Sequence, residues 1–207
     1  MGCPNYIAYI YLHLAVACII AFCSAEFITV FESSMAAFVI NIAVLFGSLY
    51  LIQYVLPPGS MAQYGAFVIF ALSIGQIAQT SLQQDEHKQI LGEVLATVAG
   101  IFVAMTALGF YDRQNLLGLG PYLFAALGGL ILGQIAYMTY YWINGNGQEL
   151  KGQSYLSDFA VVLFTLFIGY DTQRIKQKAG ICTVPNYPND SLGLFLDIVN
   201  LFLNVSR

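Results

Sequence analysis

The chain has 207 residues, of which 58% are hydrophobic and only 9% charged, against roughly 25% charged in an ordinary soluble domain. That composition excludes a separate soluble domain and a nucleic-acid partner, and it predicts an all-α polytopic membrane protein forming a single transmembrane helical domain over residues 1–207. The net charge of −4 rests on so few ionisable groups that it says little about partners, and the partner implied by the apolar composition is the lipid bilayer.

The first expected span, Tyr6 to Phe27, ends near Glu26 and Glu32. Cys23, Ser24 and Ala25 resemble a signal-peptide cleavage site. However, no basic residue precedes the run, and it is longer than the roughly 7–15 apolar residues of a signal peptide, so it reads as a retained span. The second, Ser34 to Leu56, is stopped by Pro57, Pro58 and Gly59, which cannot continue a helix.

The third, Ala62 to Leu82, ends at the polar cluster Gln83 to Gln89. A fourth covers Ile90 to Phe110 and closes at Tyr111, Asp112 and Arg113. After Gly118 to Pro121 comes a fifth, reaching Ile143 and closed by Asn144, Gly145, Asn146 and Gly147. The sixth is expected over Tyr155 to Thr172, followed by a basic, turn-rich loop from Gln173 to Asp190. The last, Ser191 to Val205, is short of the roughly 20 residues needed to cross the hydrocarbon and suits a buried or half-crossing helix.

The basic residues set the orientation. With a cytoplasmic N-terminus, Arg113, Arg174, Lys176 and Lys178 fall inside, while Lys88 and Lys151 fall outside, joined by Arg207 if the last helix crosses. The four cysteines, Cys3, Cys18, Cys23 and Cys182, show no metal-ligand spacing and read as small core hydrophobes rather than a disulfide framework. There is no phosphate-binding loop, nucleophile elbow or zinc pattern, so the chain is not expected to be an enzyme or to hold a permanently bound cofactor.

An acidic side chain within a bilayer is costly and marks a functional site by default. Asp171 and Asp197 both lie in or against apolar sequence. Asp197, Asn200 and Asn204 share one helical face at i, i+3 and i+7. Such a stripe either bonds neighbouring helices, at about 0.6–2 kcal/mol per contact, or lines a polar path. Arg174 lies one turn from Asp171 and could form a surface-level salt bridge with it. The sharper reading places the two aspartates together. Two carboxylates in one low-dielectric site cannot both ionise cheaply, so the pair is expected to share a proton and titrate as a unit.

The same oxygens could make transient contacts with a hard cation such as calcium. Glu93, Thr97, Gly100 and Ala104 define one face of the fourth segment, either a wet entrance or a helix interface. Gln76, Gln79 and Gln83 read as packing contacts, and His13 as a hydrogen-bonded structural histidine.

The run GYDTQRIK (Gly169 to Lys176), followed by LFLDIVNLF (Leu194 to Phe202), resembles the closing signature of the Bax inhibitor family, the transmembrane Bax inhibitor motif proteins. AGIF (Ala99 to Phe102) and LLGLG (Leu116 to Gly120) resemble its fourth segment and the loop after it. The resemblance covers Glu93 to the C-terminus well and the first two segments through hydropathy. It implies six helices around a central short seventh, acting as a pH-sensitive calcium leak in bacterial or intracellular membranes, with suppression of cell death in eukaryotes.

The positions matching the family's aspartyl pair are Asp171 and Asp197. Family members often carry basic residues near the second helix that can latch this pair, whereas here no Lys or Arg precedes Lys88. A latch would then come from Arg174, a protonated His13 or uncharged donors. The expected membrane is the plasma membrane in a prokaryote and the endoplasmic reticulum or Golgi in a eukaryotic or viral setting. Alternative functions are a non-conducting regulator that binds other membrane proteins and a calcium/proton exchanger.

Overall fold

Apolar runs broken by proline, glycine and short polar clusters dictate a succession of long helices, and the computed structural model has them. It describes residues 3, 5–27, 35–82, 85–111, 115–144 and 152–206. The helices are α1 (Tyr6–Phe27), α2 (Met35–Tyr50), α3 (Met61–Leu82), α4 (Asp85–Phe110), α5 (Gly120–Asn144), α6 (Gly152–Ile181) and α7 (Tyr187–Val205). A π-helical turn, Leu51–Val55, extends α2, and a 3-10 turn, Leu116–Leu119, precedes α5. No strand occurs among the described residues. The turns expected at Glu32, at Asp112 and Arg113 and at 145–147, with the side chains of Gln83, Lys88, Lys151 and Arg207, lie outside them.

Among the described residues six helices are long and apolar enough to cross a membrane, and α7, with 19 residues, is not one of them. Large apolar side chains such as Leu12, Ile19, Phe46, Val103, Leu132 and Met138 are exposed along these helices. In water that would be unfavourable surface, but in lipid it is the ordinary boundary of a multi-pass protein.

Several boundaries differ from the sequence reading: α6 and α7 begin early, at Gly152 and Tyr187 rather than Tyr155 and Ser191, and two larger differences have a clear cause. Helix α4 begins at Asp85 rather than Ile90, because Glu, Lys and Gln sustain a helix beyond the apolar span. Helix α6 runs to Ile181, so Arg174, Lys176 and Lys178 occupy its last turns rather than a loop. Those residues are good helix formers, and Lys178 in the final turn complements the helix dipole. The helix stops shortly before Pro185, and Pro188 falls in the first turn of α7, where a missing N–H costs nothing.

The chain divides into two compact units. The first comprises Met1–Ile90 and Ile175–Leu196. Within it α1 packs on α3, and Tyr6, Ile10, Leu14 and Ala17, spaced at three or four residues along one face of α1, are buried. Polar side chains reinforce this contact. Ser24 donates to Leu72 O at 2.9 Å, and Gln76 Nε2 donates to Ser24 O at 2.8 Å. From α2, Asn41 reaches Ser73 O at 3.2 Å. The turn into α3 is closed by Gln63, fully buried, which accepts from Gly59 N at 2.9 Å and donates to Ile52 O at 3.1 Å.

The α6–α7 turn of this unit is held against the start of α1. Tyr6 donates its hydroxyl to Asp190 Oδ2, and Lys178 Nζ pairs with Asp190 Oδ1. The rings of Tyr6, Tyr9 and His13 lie against Tyr187 at centroid distances of 5.7, 5.2 and 5.6 Å. A disulfide joins Cys3 to Cys182 at the same place. This corrects the reading of all four cysteines as core hydrophobes. A sequence separation of 179 residues hides the pairing, because only the fold brings the two ends together. Cys18 and Cys23 are free.

The Asp190 pair makes an asymmetric prediction. Asp190 is 8% exposed and Lys178 43% exposed. Lys178→Met leaves a buried carboxylate without its cation and is expected to cost about 1–3 kcal/mol. Asp190→Asn keeps an acceptor for Tyr6 and releases the ammonium to water, so it should cost less. Thermal unfolding in detergent compares the two, and the reverse order would show that Asp190 does not depend on Lys178.

The second unit comprises Leu91–Arg174 and Asp197–Arg207. Glycines let its helices meet closely. A Cβ on Gly109 would lie 2.7 Å from Thr172 Cβ and 2.8 Å from Gly169 O, so α4 and α6 touch through backbone. A Cβ on Gly120 would lie 2.9 Å from the Tyr170 ring. Gln173 Oε1 accepts from Leu117 N at 3.1 Å, fastening the 3-10 turn to α6.

Candidate functional site

The second unit contains both aspartates, Asp171 on α6 and Asp197 on α7. They are 9% and 5% exposed, and Thr172 and Gln173 beside Asp171 are buried as well. Asp197 Oδ2 is buried without a hydrogen-bond partner among the described residues. Burying such an oxygen is expensive unless it is protonated or meets a cation, so the geometry has a stated chemical need.

Arg174 meets this need weakly. Its Nη1 is 4.0 Å from Asp171 Oδ1, and its side chain is 62% exposed. An ion pair that long and that wet contributes little. Arg174 therefore stands at the rim of the site.

The asparagines on the Asp197 face have structural partners. Ser157 on α6 donates to Asn204 O at 3.0 Å and to Asn204 Oδ1 at 3.1 Å, while Asn204 Nδ2 donates to Asn200 O at 2.8 Å. These bonds pin α7 to α6. Nothing singled out Ser157 in the sequence, because a lone serine in an apolar helix carries no signal until its partner is placed.

Glu93 is not brought to the aspartates by any contact described. It is exposed, as are Thr97, Gly100 and Ala104 on the same face, whereas Val94 and Val98 turn inward. The face is therefore an outer one in its unit rather than a packed helix interface. His13 belongs to the other unit, where its Nδ1 donates to Tyr9 O at 2.6 Å.

Among the described residues no three His, Cys, Asp or Glu side chains gather as a metal cage. A resident calcium ion takes about 6–8 oxygen ligands.

These observations define a multi-pass α-helical membrane protein with a buried acidic site on its last two helices. Residues 3–207 match the family model described as "Inhibitor of apoptosis-promoting Bax1". The chain belongs to the Bax inhibitor family.

Over 169 residues it is 27% identical to Bax inhibitor 1 of Schizosaccharomyces pombe, an alignment covering 81% of this chain and 58% of that protein. Over 121 residues it is 32% identical to the Golgi anti-apoptotic protein of vaccinia virus strain Lister, covering 58% of this chain and 46% of the viral one. Over 124 residues it is 28% identical to the inner membrane protein YbhL of Escherichia coli K12, covering 56% and 50%. The chain thus spans about half the length of the last two relatives.

Proposed function

We propose that the protein is a pH-sensitive calcium leak, a passive pathway gated by protonation of Asp171 and Asp197. The observation that carries this reading is the buried Asp197 oxygen without a hydrogen-bond partner among the described residues, in the same compact unit as a second buried carboxylate. Calcium is the transported ion, and the two aspartates make transient contacts with it. When the pair is fully ionised, mutual repulsion favours separation and the oxygens attract a divalent cation. A proton on the pair removes one charge and supplies an O–H donor between the carboxyls, which favours the closed form. Acidification is therefore expected to lower the flux. A cytoplasmic N-terminus is part of this reading, supported by the basic end of α6 through the positive-inside bias.

A second reading is supported by the viral relative, whose name describes it as anti-apoptotic. In it the protein is a non-conducting regulator of cell death or stress that acts through other membrane proteins, and the acidic pair serves the fold. Purified protein in sealed liposomes separates the readings. A leak passes calcium without a proton gradient, a calcium/proton exchanger requires the gradient, and a regulator passes none. Absence of flux across the pH range would reject the leak.

A further inference from the structure

We propose that the Cys3–Cys182 disulfide is a reversible thiol–disulfide exchange site that faces a reducing compartment, rather than a permanent structural staple. Three observations converge on it. The first is electrostatic and rests on the orientation proposed above. Cys182 directly follows α6, whose last turns carry Arg174, Lys176 and Lys178, whereas the first 87 residues hold no Lys or Arg. The positive-inside bias puts this end of α6, and Cys3 with it, on the cytoplasmic side. Thiol pools there keep structural disulfides rare, and the disulfides that do occur are usually redox-sensing or catalytic.

The second observation is redundancy. The ends that the disulfide joins are also held by the Tyr6 hydroxyl and the Lys178 ammonium on Asp190, and by three rings against Tyr187. Reduction therefore leaves a noncovalent clasp in place. The third is access. Cys3 is partly exposed and Cys182 is 6% exposed, so an incoming thiolate reaches the Cys3 sulfur first.

The exchange balances with a monothiol of the glutathione class as reductant. Its thiolate attacks Cys3 Sγ, the Cys3–Cys182 bond breaks, and Cys182 leaves as a thiolate. A second thiolate then attacks the mixed disulfide, freeing Cys3 and releasing the oxidised dimer of the reductant. Overall, two electrons pass to the protein, and the two cysteine thiolates take up protons. Reoxidation runs the same steps backward with oxidised glutathione as acceptor.

The test uses the full-length protein with Cys18→Ser and Cys23→Ser, in membrane vesicles of known sidedness. Glutathione at a cytosolic ratio of reduced to oxidised forms is applied to one face, and free thiols are counted by a mass-tagged maleimide. The expected result is two new thiols per chain when the cytoplasmic face is treated and none when the opposite face is treated. Helix content by circular dichroism should stay unchanged, and the bond should return on addition of oxidised glutathione.

A Cys3→Ser variant should fold, show one thiol regardless of treatment, and keep the helix content of the parent. A bond that stays oxidised at the cytosolic ratio would overturn the proposal. So would a bond reached solely from the opposite face, or one whose reduction unfolds the helices. None of these readouts depends on calcium flux, so failure of the leak reading is separately visible.

Discussion

Replacing either Asp171 or Asp197 with asparagine is expected to flatten the pH dependence of calcium flux into liposomes. Asparagine keeps the shape of the side chain and its hydrogen-bonding capacity but cannot titrate. A gate that closes on one proton changes flux by at most about tenfold per pH unit, and that slope should all but vanish in each variant. The two carboxylates act on one shared proton, so the single variants should resemble the double variant rather than each removing half the response. Glu149→Gln, a change outside the described residues, serves as the charge-removal control and should keep the full slope. A wild-type flux that rises on acidification would reverse the sign of the proposed gate. Variants that keep the wild-type slope would move the sensor away from the pair, and Glu93 would be the next carboxylate to replace.

Gly75→Ala is expected to destabilise the protein, against the usual gain from adding a methyl group to a helix. A Cβ at Gly75 would lie 2.2 Å from Ala21 O and 2.7 Å from Ser24 Cβ. The nearest obstacle is backbone of α1, so relief requires α1 and α3 to move apart. That movement would also strain the bonds from Ser24 to Leu72 and from Gln76 to Ser24. Overpacking of this kind costs about 1–3 kcal/mol, and leucine at the same position should cost more.

Gly65→Ala and Gly100→Ala are the controls, because a Cβ there meets nothing within 4 Å. They should be neutral or stabilising by up to about 1 kcal/mol through helix propensity. Midpoints of thermal unfolding in detergent read all three. A Gly75→Ala midpoint equal to the controls would mean that α1 and α3 do not approach as described.

The burial cost of a carboxylate makes Asp171 and Asp197 conspicuous wherever they fall in the fold, which is why the sequence alone singled them out. Their environment was not legible. The burial that orphans the Asp197 oxygen and the serine that holds Asn204 depend on segments far apart in the chain, whereas the Asp171–Arg174 pair is local and only its length and exposure were hidden. The sequence leaves Glu93 as either a wet entrance or a helix interface, since a carboxylate near the start of an apolar helix looks the same whether it faces inward or outward. Val94 and Val98 are the residues that turn inward.

Helix number, membrane class and most boundaries followed from the sequence because hydrophobicity and proline act locally. A run of apolar residues must be helical in lipid whatever its neighbours do, and Pro57 and Pro58 end a helix by removing donors. The end of α6 was missed because polarity was taken for a loop, although Arg, Lys, Gln and Ala propagate a helix into water as readily as Leu does in lipid. The Cys3–Cys182 bond, the Asp190 clasp and the contact at Gly75 were decided by tertiary structure alone. Each depends on two distant segments arriving within a few ångströms of each other, and no local property of either segment encodes that meeting.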